Sequence, residues 1–145
     1  MPIKSFRGKL ADGGIETISL HTNNGAMGYK IVKLELMNAR PGTAPSENLV
    51  KIFTVPQTTV DELVDFSDQT LLAAGYVTSK DNPTYAGSLN IIFDNVIFNQ
   101  DIFIVHKDID SGEAVNYHIE LEQVKLDLSE NTVATLKDIR NIEGQ

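Results

Sequence analysis

The stretch Ile102-Phe-Ile-Val-His-Lys-Asp-Ile-Asp-Ser-Gly-Glu-Ala-Val-Asn-Tyr-His-Ile-Glu-Leu121 holds two alternating apolar runs on either side of a turn-rich segment. Runs with a period of two, bounded by Gly, Asp and Ser, are typical of β-strands. A turn centred on Gly112 places Val105 opposite Ile119, so that apolar residues meet on the core face. This stretch therefore predicts an antiparallel β-hairpin within a β-rich fold.

The same register sends a second set of side chains to the outer face of the hairpin: Ile102, Ile104, His106, His118 and Glu120. His106 and His118 would lie opposite each other there, with Glu120 on the diagonal. Imidazole and carboxylate groups are common ligands of metal ions. Two imidazoles and one diagonal carboxylate support a metal site weakly, so we interpret the histidines as a structural or interfacial pair. Their joint protonation near a reference pKa of about 6.5 would loosen such an interface.

Further alternating runs predict strands at 15–21, 30–37, 49–55, 60–66, 89–93 and 96–98. Residues 67–75 combine an N-cap residue, helix formers and a terminal Gly, which predicts one or two helical turns. Apolar positions are odd up to Leu121 and even from Val124, and this change of phase predicts a β-bulge near Glu122. Residues 129–140 fit a capped helix and a further strand equally well.

Eight or so short strands with frequent turn signals predict an all-β fold, an antiparallel β-sandwich of jelly-roll or immunoglobulin-like connection. At most one or two short helices are expected, and a closed barrel is the alternative. With 145 residues the chain fits a single domain, 1–145. Residues 1–10 are a candidate N-terminal arm, and residues 129–145 are a candidate C-terminal appendage.

The composition excludes several classes of protein. With no Cys, the chain forms no disulfide and has no thiol nucleophile. No apolar run approaches the ~20 residues of a membrane-spanning helix, and the first residues lack the apolar region of a signal peptide. A net charge of −8 argues against nucleic acid or an anionic membrane as the main partner.

The charge is divided unevenly along the chain. Residues 1–51 contain seven basic and four acidic residues, whereas residues 52–145 contain five basic and sixteen acidic ones. If the two segments lie on different surfaces, the basic segment around Lys4, Arg7 and Lys9 in one copy meets the acidic segment of the next copy. Head-to-tail assembly requires such a pair of surfaces. Two solvated surfaces without a partner explain the same charges equally well.

Catalytic motifs are absent from the sequence. It contains no Gly-x-Ser-x-Gly elbow, no Gly-rich phosphate loop and no His-Glu-x-x-His pattern, so we expect no enzyme activity, no cofactor and no bound metal. Residues 108–113 resemble the start of a calcium loop, but Gly112 comes one place early, and a hairpin turn explains them better. The carboxylates between Asp61 and Asp68 fit a solvated strand face better than a glycosidase pair.

Tyr85 lies in the polar, turn-rich segment 79–87 and is the aromatic residue that we expect to contact a partner. Together with Tyr76 and the acidic loops it would form the site of a carbohydrate-binding module, which is the alternative function. The absence of Trp counts against that alternative, because sugar platforms depend on large aromatic rings.

Several segments resemble a known group of proteins: Met1-Pro-Ile-Lys-Ser-Phe-Arg-Gly8, Ala11-Asp-Gly-Gly14, Gly28-Tyr-Lys-Ile-Val-Lys33, Phe93-Asp-Asn-Val-Ile-Phe-Asn-Gln-Asp-Ile-Phe103 and Leu121-Glu-Gln-Val-Lys-Leu-Asp-Leu-Ser-Glu-Asn-Thr-Val-Ala-Thr-Leu-Lys-Asp-Ile-Arg-Asn141. The group consists of small virion structural proteins encoded by marine bacteriophages. The resemblance implies a structural part of a phage particle and leaves open which part. Our leading hypothesis is a capsid decoration, cement or minor capsid protein, with a tail or connector component as the alternative. This hypothesis also implies a homo-oligomer that is made in the host bacterial cytoplasm and assembles with other virion proteins. The resemblance carries no catalytic motif.

Overall fold

The computed structural model describes residues 2–20, 27–41, 45–79 and 89–126, and these residues form eight β-strands and no helix. The strands are β1 (Ile3–Leu10), β2 (Ile15–Ile18), β3 (Met27–Asn38), β4 (Ser46–Phe53), β5 (Leu71–Ser79), β6 (Leu89–Phe93), β7 (Ile102–Asp108) and β8 (Val115–Lys125). Six of the predicted strand regions are confirmed as β2, β3, β4, β6, β7 and β8.

The strands form two antiparallel sheets that pack against each other as a β-sandwich, which confirms the predicted fold class. One sheet has three strands in the order β1-β8-β3, and the other has five in the order β2-β7-β4-β5-β6. The pairs β1–β8, β2–β7 and β4–β5 correspond to the topology of one long hairpin rolled into two sheets. An isolated bridge between Tyr29 and Phe98 joins β3 to the segment that follows β6.

A single apolar core lies between the sheets. From the three-stranded sheet it receives alternate residues of β8, and from the five-stranded sheet it receives alternate residues of β4 and β7. The core residues of these three strands are Val115, Tyr117, Ile119, Leu121, Val50, Ile52, Ile102 and Ile104. Gly75 allows the sheets to approach closely, since a Cβ there would lie 2.6 Å from Cδ1 of Leu36.

The predicted hairpin of residues 102–121 is wrong. β7 and β8 belong to different sheets, so the turn between them carries the chain across the sandwich. β7 pairs instead with β2 and β4, and β8 pairs with β1 and β3. Both arrangements use the same turn chemistry, and strands distant in sequence supply the partners that decide between them.

Three local predictions also differ from the structure. The register shift lies on β3 between Ile31 and Lys33, and β8 continues through Glu122 without one. Residues 60–66 form no strand. Of the helical turns expected at 67–75, residues 67–70 lie in non-helical turns and residues 71–75 form the first part of β5. At 96–98, Phe98 forms an isolated bridge and no strand.

The candidate arm, 1–10, contains β1, which pairs with β8 along its whole length. Every residue of β1 has a partner on β8, from Ile3 opposite Glu122 to Leu10 opposite Val115. The candidate appendage, 129–145, lies outside the described residues.

Candidate interaction surfaces

The outer surface of the three-stranded sheet brings together several of the predicted site residues. Alternation along β1 directs Arg7 and Lys9 outward, and the register places Arg7 opposite His118 and Lys9 opposite Asn116. Glu120 lies on the same surface of β8, one alternate position from His118. We call this surface the β1–β8–β3 face.

The third strand of this face adds residues that sequence analysis did not select as site residues. Glu35 lies opposite His118, so that Arg7, His118 and Glu35 form one row across three strands. Met37 lies opposite Asn116 and is exposed. The alternation that directs Lys33 and Glu35 outward also predicts Met37 on their face, so the signal for it was present in the sequence.

A shallow depression of about 580 Å³ lies on this face. Side chains of all three strands line it, including those of Arg7, Glu35, Met37, Asn116 and His118. Two ion pairs lie on the same sheet: Lys30 Nζ of β3 is 4.0 Å from Glu122 of β8, and Lys33 Nζ is 3.6 Å from Glu35 along β3. The face therefore carries mixed charge, on which Arg7 and Lys9 offer basic contacts to a partner and Met37 offers an apolar one.

The opposite outer surface carries a long connection between β4 and β5, residues 54–70, which we call the acidic loop. It contains Asp61, Glu62, Asp65 and Asp68 and no basic residue. Leu63 and Phe66, on the same loop, are 64% and 67% exposed. This surface therefore combines negative charge with exposed apolar side chains.

Lys51 of β4 attaches the acidic loop to the sheet. Its side chain is 7% exposed, and Nζ donates to the carbonyl oxygen of Leu63 at 2.7 Å and to Oδ1 of Asp61 at 3.2 Å. Val60 packs beside it on a second apolar cluster formed by Phe53, Leu71 and Val105 on the outer side of the sheet. The loop thus covers an apolar surface and holds a buried cation.

Hydrogen bonds stabilise the ionised form of two carboxylates in the acidic loop, those of Asp61 and Asp65. The hydrogen bond from Lys51, together with the Leu63 N–H, lowers the pKa of Asp61 below its usual value. Hydrogen bonds from the hydroxyl and N–H of Ser67 lower the pKa of Asp65. Asp61 and Asp65 therefore keep their negative charge to a lower pH than an ordinary Asp.

The structure places Ile102 and Ile104 in the core between the sheets, where both are fully buried. The prediction that they face outward is wrong. Both faces of β7 carry apolar residues, since Val105 lies on the outer face and packs against Val60 of the acidic loop. Alternation along β7 therefore did not distinguish the inner face from the outer one.

His106 is fully buried and belongs to a polar network between the sheets. Its Nδ1 lies 3.0 Å from the carbonyl oxygen of Ala11, and its Nε2 lies 2.7 Å from the amide oxygen of Asn48. Asn48 donates to Asn38 of β3, so that the network joins both sheets. Burial lowers the pKa of His106, although Ala11, Asp12 and Asp108 act in the opposite direction.

His106 and His118 do not form the predicted pair, because β7 and β8 lie in different sheets. The three residues that the sequence analysis weighed as metal ligands are therefore divided, with His106 inside the sandwich and with His118 and Glu120 outside it. Among the described residues no group of three or more His, Asp or Glu side chains is arranged to hold a metal ion.

The remaining predicted residues are dispersed. Lys4 does not share the outward face of Arg7 and Lys9, since its Nζ lies 5.8 Å from the centre of the Tyr29 ring. Tyr76 is half-buried, and its hydroxyl donates to Glu47 at 3.0 Å. Tyr85 lies outside the described residues.

The turn at 108–113 is organised by the Asp108 carboxylate. That group accepts hydrogen bonds from the N–H groups of Glu47, Asp110, Ser111 and Glu113. Burial raises the pKa of Asp108, and the four hydrogen bonds outweigh this effect and lower it. The Asp108 carboxylate thus stabilises a turn, but this turn crosses between the two sheets and is not the hairpin turn that the sequence favoured over a calcium loop.

The described residues contain no helix with the length and hydrophobicity of a transmembrane span. No protein-family model matches the chain, and no curated protein is significantly similar to it.

Proposed function

We propose that the protein is a structural component of a bacteriophage particle, a capsid decoration or minor capsid protein that assembles through contacts between many copies. The observation that carries the proposal is the opposite character of the two outer surfaces. The β1–β8–β3 face offers Arg7 and exposed Met37 at a depression, with Lys9 on the same face, whereas the acidic loop offers carboxylates with exposed Leu63 and Phe66. Stacking the loop of one copy on the face of the next joins opposite charges and covers apolar side chains.

The strand pairing supports the same proposal. A jelly roll is a long hairpin rolled into two sheets, and the pairs β1–β8, β2–β7 and β4–β5 follow that scheme. Jelly rolls recur in viral capsid proteins and also in lectins, so that the fold by itself does not decide the function. The heterologous pair of surfaces favours assembly, because contacts of this kind generate rings or extended arrays.

A charge reversal tests the electrostatic contact. The full chain and its Arg7→Glu variant are compared by light scattering after gel filtration, in about 0.01 M and about 1 M salt, where the Debye lengths are about 30 Å and 3 Å. We expect the wild type to form assemblies at low salt, the variant to form fewer, and the two to become similar at high salt.

Lys125→Glu is the matched control, since Lys125 is also exposed and its reversal changes the net charge by the same amount. It lies seven residues further along β8 than His118, the partner of Arg7. Equal loss of assembly in both variants would assign the effect to net charge and contradict the proposed contact. Absence of the chain from purified particles of the phage that encodes it would contradict the virion role itself.

A further inference from the structure

β6 forms an exposed apolar edge of the five-stranded sheet. Within the described residues it pairs with β5 and with no other strand. Its residues Leu89, Ile92 and Phe93 are 59%, 53% and 37% exposed. Soluble proteins protect such edges, because the unpaired backbone groups bind to strands of other chains.

The backbone of β6 is oriented for further pairing. Phe93 lies opposite Ala73, and the N–H of Asp94 donates to the carbonyl oxygen of Leu72 at 2.9 Å. In an antiparallel ladder this pattern directs the N–H and C=O groups of Phe93 away from β5. By alternation, the backbone groups of Ile91 and Leu89 also point away from β5. Three alternate residues therefore present donors and acceptors at the free edge.

β6 differs from the other edge strands in its charge. The other three edges carry charged side chains: Lys4, Arg7 and Lys9 on β1, Glu16 on β2, and Lys30, Lys33 and Glu35 on β3. β6, Leu-Asn-Ile-Ile-Phe, carries none. For two copies of a chain with net charge −8, an edge strand without charged side chains places no like charges directly opposite each other across the contact.

We propose that β6 pairs antiparallel with β6 of a second copy, so that two five-stranded sheets become one sheet of ten strands. Centred on Ile91, the pairing places Leu89 of each copy opposite Phe93 of the other, apolar against apolar. Asp94 of one copy and Asp94 of the other then lie at opposite ends of the interface. Phe66 and Ile92, which line a hollow of about 230 Å³ beside this edge, extend the apolar surface across the seam. This two-fold contact is separate from the charged head-to-tail contact proposed above.

The experiment compares the full chain with a Leu89→Lys, Ile92→Lys double variant by sedimentation equilibrium in about 1 M salt. This salt concentration screens the interactions between charges and does not weaken the pairing of apolar strands. We expect the wild type to be a dimer in equilibrium with monomer, and the double variant to dissociate at least about 100-fold more readily. Ile15→Lys is the matched control, because Ile15 is an exposed apolar residue on β2, the edge strand on the other side of the same sheet. The Ile15→Lys variant should dimerise as strongly as the wild type.

Hydrogen exchange supplies a second readout. In the dimer the amides of Leu89, Ile91 and Phe93 should be protected like those of Asn90 and Ile92, whereas in a monomer only the latter two are bonded to β5. A wild type that stays monomeric in high salt, or a double variant that dimerises as strongly as the wild type, would overturn the proposal. Salt-sensitive assembly could still occur in either case, so this failure is distinct from failure of the head-to-tail contact.

Discussion

His106 shows how the interior of the sandwich controls a single ionisable side chain. Its ring is fully buried between Ala11 and Asn48, and burial holds its pKa below the ordinary value of 6.5. The unfolded chain therefore binds a proton at His106 more readily than the folded chain does. The free energy of unfolding consequently falls as the pH decreases below about 6.5, by at most about 1.4 kcal/mol per pH unit for this one group.

We expect His106→Gln to remove this slope between about pH 7 and pH 5, because Gln does not titrate. Urea unfolding at a series of pH values measures the slope, and His118→Gln, on the outer face, is the control. The lowered pKa values of Asp61, Asp65 and Asp108 affect stability in a separate pH range. These carboxylates stabilise the folded state above their ordinary pKa of 3.8, and this stabilisation is lost only as the pH falls below that value. An unchanged slope in His106→Gln would show that the ring is not the group responsible.

The acidic loop is an element whose buried contacts with the sheet include the side chain of Lys51. Lys51→Met keeps the length of the buried side chain but removes the hydrogen bonds to Leu63 and Asp61. We expect the loop to open about tenfold more often, the equivalent of about 1.4 kcal/mol, which is within the range of a hydrogen bond to a charged group. Limited chymotrypsin digestion should cut after Leu63 or Phe66 correspondingly faster. Lys33→Met removes one exposed positive charge on the other sheet, and equally fast cleavage in that variant would contradict the role of Lys51.

Sequence patterns predicted the strands of this fold better than their partners. Alternation identified Tyr117 and Ile119 of β8 as core residues, because the other side of β8 is polar. It failed on β7, where both sides are apolar, and hence it placed Ile104 on the outside. In the acidic loop the apolar residues after Val60 have the spacing of a strand, yet Phe66 is exposed. No local pattern indicates that a loop covers one part of a sheet and leaves its own apolar residues in solvent.

The candidate surfaces were predictable to the same limited extent. The split in charge along the chain indicated opposite surfaces, and Arg7 and Lys9 do lie on one face. However, β8 inserts between the two basic strands and brings Glu120 and Glu122 into that face. Long-range strand order therefore decides the charge of each surface, and segment charge alone does not determine it.

At the scale of the whole molecule, the two sheets share one core. Side chains of β3 and β8 pack throughout it against side chains of β4 and β7, and the Asn38–Asn48–His106 network joins the same two sheets. If either sheet separated, the inner face of the other would be exposed, so that neither sheet is stable alone. We expect one cooperative unfolding transition, with equal calorimetric and van't Hoff enthalpies.

Native-state hydrogen exchange tests this cooperativity at single residues. The amides of Ile119 in the three-stranded sheet and Ile104 in the five-stranded sheet should exchange with the same opening free energy, equal to that of global unfolding, since neither strand can lose its partners alone. The N–H of Leu63, in the acidic loop, should exchange through a smaller local opening. A lower opening free energy for Ile119 than for Ile104 would mean that the three-stranded sheet separates first. In that case the shared core would not hold the molecule as one unit.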